Sequence, residues 1–311
     1  MKRHILQSDM WQEFKNSFGT PAIKAGGVLY TKHRIPFSTF YYAYCPRVNP
    51  SDINFEELRK SLEENSCVNI HFDVPNIIKG SSEEKNALEI FNKESVKSSR
   101  DEFAKANFLL DLRLSEEELL NKMSIKQRYN TNYAIKKGVK VRKAEGEKDF
   151  QIFFDLYKET GIRQGFYFRP ESYLKKAWEI FSSHNACDIL IAEYEDKPLA
   201  SWMLFVSDGV LYYPYGGSTE TMKNLQANCL IGWEAIKYGK EKGCELFDMW
   251  GAAVDLNDVK DEYFGFSQFK AKYGGDHVVY IDSYDLVLNE PVYKMFNLAN
   301  NLRWKMLNLL R

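Results

Sequence analysis

The chain has 311 residues, 44% apolar and 15% aromatic, with 42 basic and 43 acidic side chains. That length and apolar share suit two domains of ordinary size, and a net charge of −1 excludes a uniformly basic nucleic-acid coat while leaving local patches open. The five cysteines (Cys45, Cys67, Cys187, Cys229, Cys244) are scattered and the five histidines lack ligand spacing. Neither a disulfide framework nor a metal site is expected, and a reducing cytosol fits.

From the start, Ser8-Asp9 caps a short helix carrying Met10, Trp11, Phe14 and Phe18, with Lys15 beside Trp11 and Phe14. Extended segments are expected at residues 22–30 and 39–44, the second ending in the proline-bearing turn 45–50. A helix over 54–65 leads to a strand at 67–72, then a charged, partly helical stretch and a strand at 107–114. The domain boundary is placed there, giving a first domain of residues 1–114, completed by 282–311, and a second of 115–281.

Ser115 followed by three glutamates opens the second domain as a helix start. Residues 122–143 then carry Lys126, Arg128, Lys136, Lys137, Lys140, Arg142 and Lys143 with no acid among them. Such a run is either a solvated face or a surface for phosphates, of RNA or of an anionic membrane. Amphipathic helices are predicted at 150–160 and 171–183, and strands at 187–193, 199–206 and 210–215. Asp196-Lys197-Pro198 and Ser207-Asp208-Gly209 make the turns between those strands. A long helix over 226–242 ends at Gly243, a strand follows at 245–250, and another at 278–281.

Between those last strands stands a short helix in which Phe266 and Phe269 share one face, with Lys270 beside it and Gly274-Gly275 ending it. This places a cation against a partly buried cleft; the plainer alternative is a solvated lysine on a core helix. The element order is α/β and resembles the acetyltransferase-like (GNAT) plan, used twice, with mixed and largely antiparallel sheets. An acetyltransferase of that plan cradles a pyrophosphate on a glycine-rich helix entrance. The corresponding stretch here, residues 221–228, has no glycine, which argues against acetyl-CoA.

Several pieces in order carry a closer resemblance: Lys126-Gln127-Arg128-Tyr129-Asn130, Lys136-Lys137-Gly138-Val139, Thr160-Gly161-Ile162-Arg163, Phe168-Arg169-Pro170, Tyr213-Pro214-Tyr215-Gly216-Gly217-Ser218, Gly232-Trp233-Glu234-Ala235-Ile236, Asp248-Met249-Trp250-Gly251, and Gly265 through Phe269-Lys270. On these the chain resembles the FemABX family, aminoacyl-tRNA-dependent transferases that build the side branches of peptidoglycan. The resemblance implies two GNAT-like domains. No heptad run between Arg128 and Leu190 suits the coiled-coil arm that many members carry. The segment Tyr44-Cys45-Pro46-Arg47-Val48 departs from the family's usual turn.

The resemblance also implies roles. Lys270 stabilises charge at the aminoacyl donor and Phe269 packs the terminal adenine. Read from the residues alone, Asp248 is a strand-end acid beside the cleft that either orients or deprotonates the acceptor amine or caps a neighbouring helix. Arg169 and Lys15 bind the diphosphate of the precursor (lipid II or UDP-MurNAc-pentapeptide), with Tyr173 and Tyr215 completing that pocket. Aminoacyl-tRNA is then the co-substrate and no cofactor is expected. No run of about 18 apolar residues and no signal-peptide core is present, so the expected place is the cytoplasm. The basic and apolar C-terminal segment 291–311 suggests peripheral contact with the inner membrane face. Two alternatives stand beside this reading: an N-acyltransferase using an acyl-CoA thioester, and a non-catalytic scaffold that binds precursor.

Overall fold

The computed structural model describes residues 2–166 and 168–309, the last nine of these by backbone only. The chain opens with α1 (Asp9–Ser17), β1 (Ala22–Ala25), β2 (Val28–Arg34), β3 (Tyr41–Pro46), α2 (Phe55–Glu64), β4 (Cys67–Asp73), α3 (Glu84–Glu94) and β5 (Val96–Lys97). It continues with β6 (Ala106–Asp111), α4 (Glu116–Lys122), α5 (Ile125–Lys136), β7 (Lys140–Lys143), α6 (Gly146–Gln164), α7 (Glu171–Ser183), β8 (Cys187–Tyr194), β9 (Lys197–Ser207) and β10 (Val210–Ser218). Then come α8 (Ala227–Glu241), β11 (Leu246–Ala252), α9 (Phe264–Lys270), β12 (Asp276–Val279), β13 (Tyr284–Val287) and α10 (Glu290–Leu309). Two compact units result: residues 3–105 with 280–311, and residues 106–279.

The first unit holds a sheet in the order β1-β2-β3-β4-β13-β5. All its pairs are antiparallel except β3 with β4, whose connection is the crossover helix α2. Leu58 and Leu62 of α2 pack with Tyr30, Ile70, Phe72, Phe91 and Leu286 in its core. The predicted strand at 22–30 is instead a hairpin, because Gly26 and Gly27 both take positive φ between β1 and β2. A Cβ on Gly27 would lie 2.2 Å from the Asp52 carbonyl oxygen, so only glycine turns the chain there. At β4, His71 sits between Asp285 Oδ1, at 2.7 Å, and Asp73 Oδ1, at 3.4 Å. Burial opposes its charge, but the hydrogen bonds and charges of the two carboxylates push it up to about 9. The Tyr293 hydroxyl of α10 donates to Asp285 Oδ2 at 2.8 Å, tying the C-terminal helix to the same cluster.

The second unit repeats the plan in a sheet of order β12-β6-β11-β10-β9-β8-β7, again with one parallel pair, β10 with β11, crossed over by α8. The repeated arrangement is GNAT-like in both units. Trp202, Leu204, Leu211, Ile231, Ile236, Phe247 and Met249 form the centre of its core. The strand expected to close the first domain, residues 107–114, is β6, and it pairs with β11 and β12 of this sheet. The units therefore divide between Lys105 and Ala106 rather than near Leu114. In the basic run, Arg142 is held by Asp149 and Glu193 at 2.5 and 3.0 Å. Between residues 128 and 190 the helices α6 and α7 have 19 and 13 residues, and no longer arm stands there among the described residues. Among the described residues no helix is long and apolar enough to cross a membrane. The side chains beyond residue 300 invoked for membrane contact lie outside the described residues.

Candidate active site

The parallel ladder between β10 and β11 stops at Tyr212↔Asp248, although both strands run on. Each strand shifts register there: β10 against β9 between Tyr212 and Tyr215, and β11 against β6 between Asp248 and Gly251. Such bulges re-aim the groups they displace. Trp250 sits in the second one with φ of 67°, a conformation that costs a bulky residue roughly 1–3 kcal/mol. The turn presents the Gly251 carbonyl to α9, where Lys270 Nζ donates to it at 2.7 Å.

Lys270 is only 7% exposed. Burial pushes its ammonium down to about 7, and the Asp248 carboxylate offsets part of that push. Asp248 is 5% exposed, and its Oδ1 accepts from Asn107 Nδ2 at 2.6 Å and from the Trp250 amide at 2.7 Å. It thereby fixes the bulge from inside. Ser267 of α9 donates to the Tyr263 carbonyl, and its hydroxyl accepts from the Ala253 amide, each at 2.8 Å. His277 Nε2 lies 2.9 Å from the Ala253 carbonyl oxygen. The segment after β11 is thus clipped to α9 and β12. Phe269 packs its ring edge-on to Trp202 and Tyr273 against the core, and Phe266 meets Phe166.

The Phe166 side of that contact belongs to the loop carrying Arg169. Helix α6 ends at Gly165, which takes φ of 70°. Arg169 precedes Pro170, the N-cap of α7, so the chain is extended there and the arginine is exposed at a helix start. The Arg169 amide donates to the Tyr157 hydroxyl at 3.1 Å, and its guanidinium carbon lies 5.2 Å from the centre of the Tyr173 ring. Tyr173 is buried and hydrogen-bonded to Tyr215 of β10. Burial raises both phenols, the Arg169 charge opposing it, so both remain neutral. β10 approaches α6 so closely that a Cβ on Gly217 would lie 2.3 Å from the Leu156 carbonyl. Six predicted residues, Arg169, Tyr173, Tyr215, Asp248, Phe269 and Lys270, therefore lie in one unit, the tyrosines grouped around Arg169. Lys15 lies in the first unit, half-buried on α1, with Nζ 5.9 Å from the Trp11 ring centre.

Sequence reasoning missed Asn107, Tyr157, Ser267 and the Gly251 carbonyl. Only the last had a signal, a glycine inside a strand pattern, which marks bulges. Among the described residues no three His, Cys, Asp or Glu side chains are placed to share a metal ion.

A sheet with one parallel pair crossed over by a helix, present once in each unit, defines a GNAT-like protein, and in the second unit that pair parts beside the buried Lys270. Known proteins narrow the class further. The FemAB family model matches residues 3–196 and 185–301. The lipid II:glycine glycyltransferase of Staphylococcus epidermidis is 22% identical over 94% of this chain and 89% of its own length. That of Staphylococcus haemolyticus is 23% identical over 58% of each. Among solved structures, FemX superposes with a TM-score of 0.79 at 18% identity, covering 94% of both chains. The structure of L-PGS from Bacillus licheniformis superposes with a TM-score of 0.56 at 12% identity, covering 94% of this chain and 95% of its own. The chain belongs to the FemAB family.

Proposed function

We propose that this chain, an aminoacyltransferase of peptidoglycan cross-bridge synthesis, takes its amino acid from aminoacyl-tRNA and adds it to the stem peptide of a precursor, lipid II or its UDP-linked counterpart. The observation that carries this is the buried Lys270, held by the bulged Gly251 carbonyl beside Asp248 in a FemAB chain. The stem amine attacks the ester carbonyl, a C–N bond forms, the C–O bond to the ribose breaks, and the amine's proton leaves as the ribose hydroxyl gains one. The ester is already activated, so the step calls on no cofactor. What the protein must supply is position and charge stabilisation.

Lys270 sits at the donor end, its ammonium facing the oxyanion or the terminal phosphate, and the half-buried Phe269 packs the terminal adenine while supporting the helix that holds Lys270. Asp248, expected from the sequence to orient or deprotonate the acceptor amine, is proposed instead as a positioning residue that acts through the bulge, because its Oδ1 accepts from Asn107 and the Trp250 amide. Arg169 receives the precursor's phosphates, since its planar fork makes two parallel hydrogen bonds and α7 opens beside it. Tyr173 supports its guanidinium, and Tyr215 supports Tyr173. Lys15 is assigned to the same polyanionic acceptor from the family resemblance, with Lys15→Ala as its separate test. The work takes place at the cytoplasmic face of the membrane, where a lipid-linked precursor is reached.

Incubation with a mixed pool of charged tRNAs and precursor is expected to yield a precursor heavier by an amino-acid residue. Consumption of acetyl-CoA with no product from any charged tRNA would instead establish the thioester enzyme. In the same assay Arg169→Met is expected to weaken precursor binding by about 1.5–3 kcal/mol, the worth of a charged hydrogen bond, with the KM for tRNA unchanged. Unaltered precursor affinity would remove Arg169 from the site.

A further inference from the structure

Helix α5 is attached to its unit in an unusual way. Two of its three buried residues are polar: Gln127 Nε2 and Thr131 Oγ1 both donate to the Cys229 carbonyl at the start of α8, at 3.4 and 3.2 Å, and the third, Ala134, joins the core. The opposite face presents Lys126, Tyr129, Tyr133, Lys136 and Lys137, spaced so that they form one stripe along the helix. Tyr129 is 65% exposed and stacks on Tyr133 with ring centres 6.2 Å apart, and Lys137 Nζ lies 5.4 Å from the Tyr133 ring centre. Among the described residues none of these three lysines, nor Lys272, has a carboxylate within 4 Å, whereas Arg142 just beyond them is paired twice.

The stripe is continuous with the Lys270 segment. The Ser124 amide that caps α5 donates to the Lys272 carbonyl at 2.9 Å, two residues after Lys270. Lys126 and Lys272 both act on the Cys229 thiol, lowering it against the burial that raises it. A path of cations thus leaves Lys270, passes Lys272 and Lys126, and follows α5, whose 12 residues span about 18 Å.

We propose that this stripe, with Lys272, docks the RNA body of the donor, taking phosphates of the stem that lies beyond the aminoacylated CCA end. The inference rests on the reading of Lys270 as the residue at that end. Cations along one exposed helix face, without carboxylate partners, suit a phosphate backbone, and an exposed tyrosine pair offers a face for ribose and base. A membrane-lying helix would instead present a broad apolar face opposite its cations. In α5 that side is occupied by hydrogen bonds to α8.

The test compares wild type with K126E/K136E/K137E on two donors carrying the same amino acid: full-length charged tRNA, and the aminoacylated CCA trinucleotide. The KM for charged tRNA is expected to rise at least tenfold, while the KM for the trinucleotide stays the same. The slope of log affinity against log salt for tRNA should fall by about 2–3, at 0.7–0.9 for each phosphate no longer neutralised. The neutral variant K126Q/K136Q/K137Q, with unchanged circular dichroism, should move the same way by less. Equal KM values for tRNA in wild type and charge-reversed protein would overturn the proposal while leaving aminoacyl transfer standing. So would loss of binding to phosphatidylglycerol vesicles with tRNA use intact, which would give α5 to the membrane. If wild type transfers from neither donor, the reading of the active site fails, and the docking surface with it.

Discussion

Lys270→Ala is expected to slow turnover by about 10²–10³ while leaving precursor affinity nearly unchanged, because loss of one preorganised electrostatic group costs that much in rate. The lysine is fixed before any substrate arrives: its amine is bonded to Gly251, its helix is pinned by Ser267 and Phe269, and Asp248 holds the bulge. A charge so held needs no reorganisation as negative charge develops on the ester oxygen. Its effect belongs to the transition state and should appear in kcat and kcat/KM together. Lys270→Arg recovers only part of the rate, since a planar fork does not fit where a point charge meets one carbonyl. Steady-state kinetics with precursor varied at saturating tRNA check this. Normal turnover with lost precursor binding would move Lys270 to the acceptor.

Lys270→Met is expected to stabilise the protein while silencing it. Moving a lysine from its ordinary 10.5 to about 7 corresponds to roughly 5 kcal/mol, at 1.36 kcal/mol for each pH unit. The folded lysine gives up its proton at lower pH than the unfolded one. Between about 7 and 10.5 the unfolded chain therefore binds more protons, and wild-type stability rises with pH across that window. The cost of burying the ammonium is felt in full below pH 7. Methionine removes that cost but leaves the Gly251 carbonyl without its donor, a loss of about 1–3 kcal/mol. The net gain expected at pH 6 is ~2–4 kcal/mol, fading toward pH 10, as read from urea unfolding at the two pH values. A variant less stable than wild type at pH 6 would show that the lysine is not held as a costly buried charge. A site that stores instability for function is a common trade.

Much of this was legible in the chain, and the legible part was local. The α9 helix, its aromatic pair and the glycines that end it follow from adjacent residues, as do the hairpins of β8, β9 and β10. What the sequence concealed was non-local. Asp248 looked like a strand-end acid because its partner Asn107 lies 141 residues away. β6 looked like the end of one domain because nothing near it tells which sheet it joins. Lys270 read as a lysine beside a cleft; the Gly251 carbonyl that holds it follows Trp250 in a left-handed conformation, one that no propensity assigns to tryptophan. The Gly26-Gly27 pair was a visible turn signal that an apolar run obscured.

The most direct test of the central claim, that a charged Lys270 works on the donor, is the pH dependence of single-turnover transfer from labelled aminoacyl-tRNA to saturating precursor. The protonated lysine is lost as pH rises through about 7, so the wild-type rate is expected to fall above that pH. In Lys270→Arg, whose guanidinium keeps its charge, the residual rate should show no such fall. A wild-type rate that climbs through pH 7 and stays high, with the climb absent in the arginine variant, would make the neutral lysine a base and contradict the account.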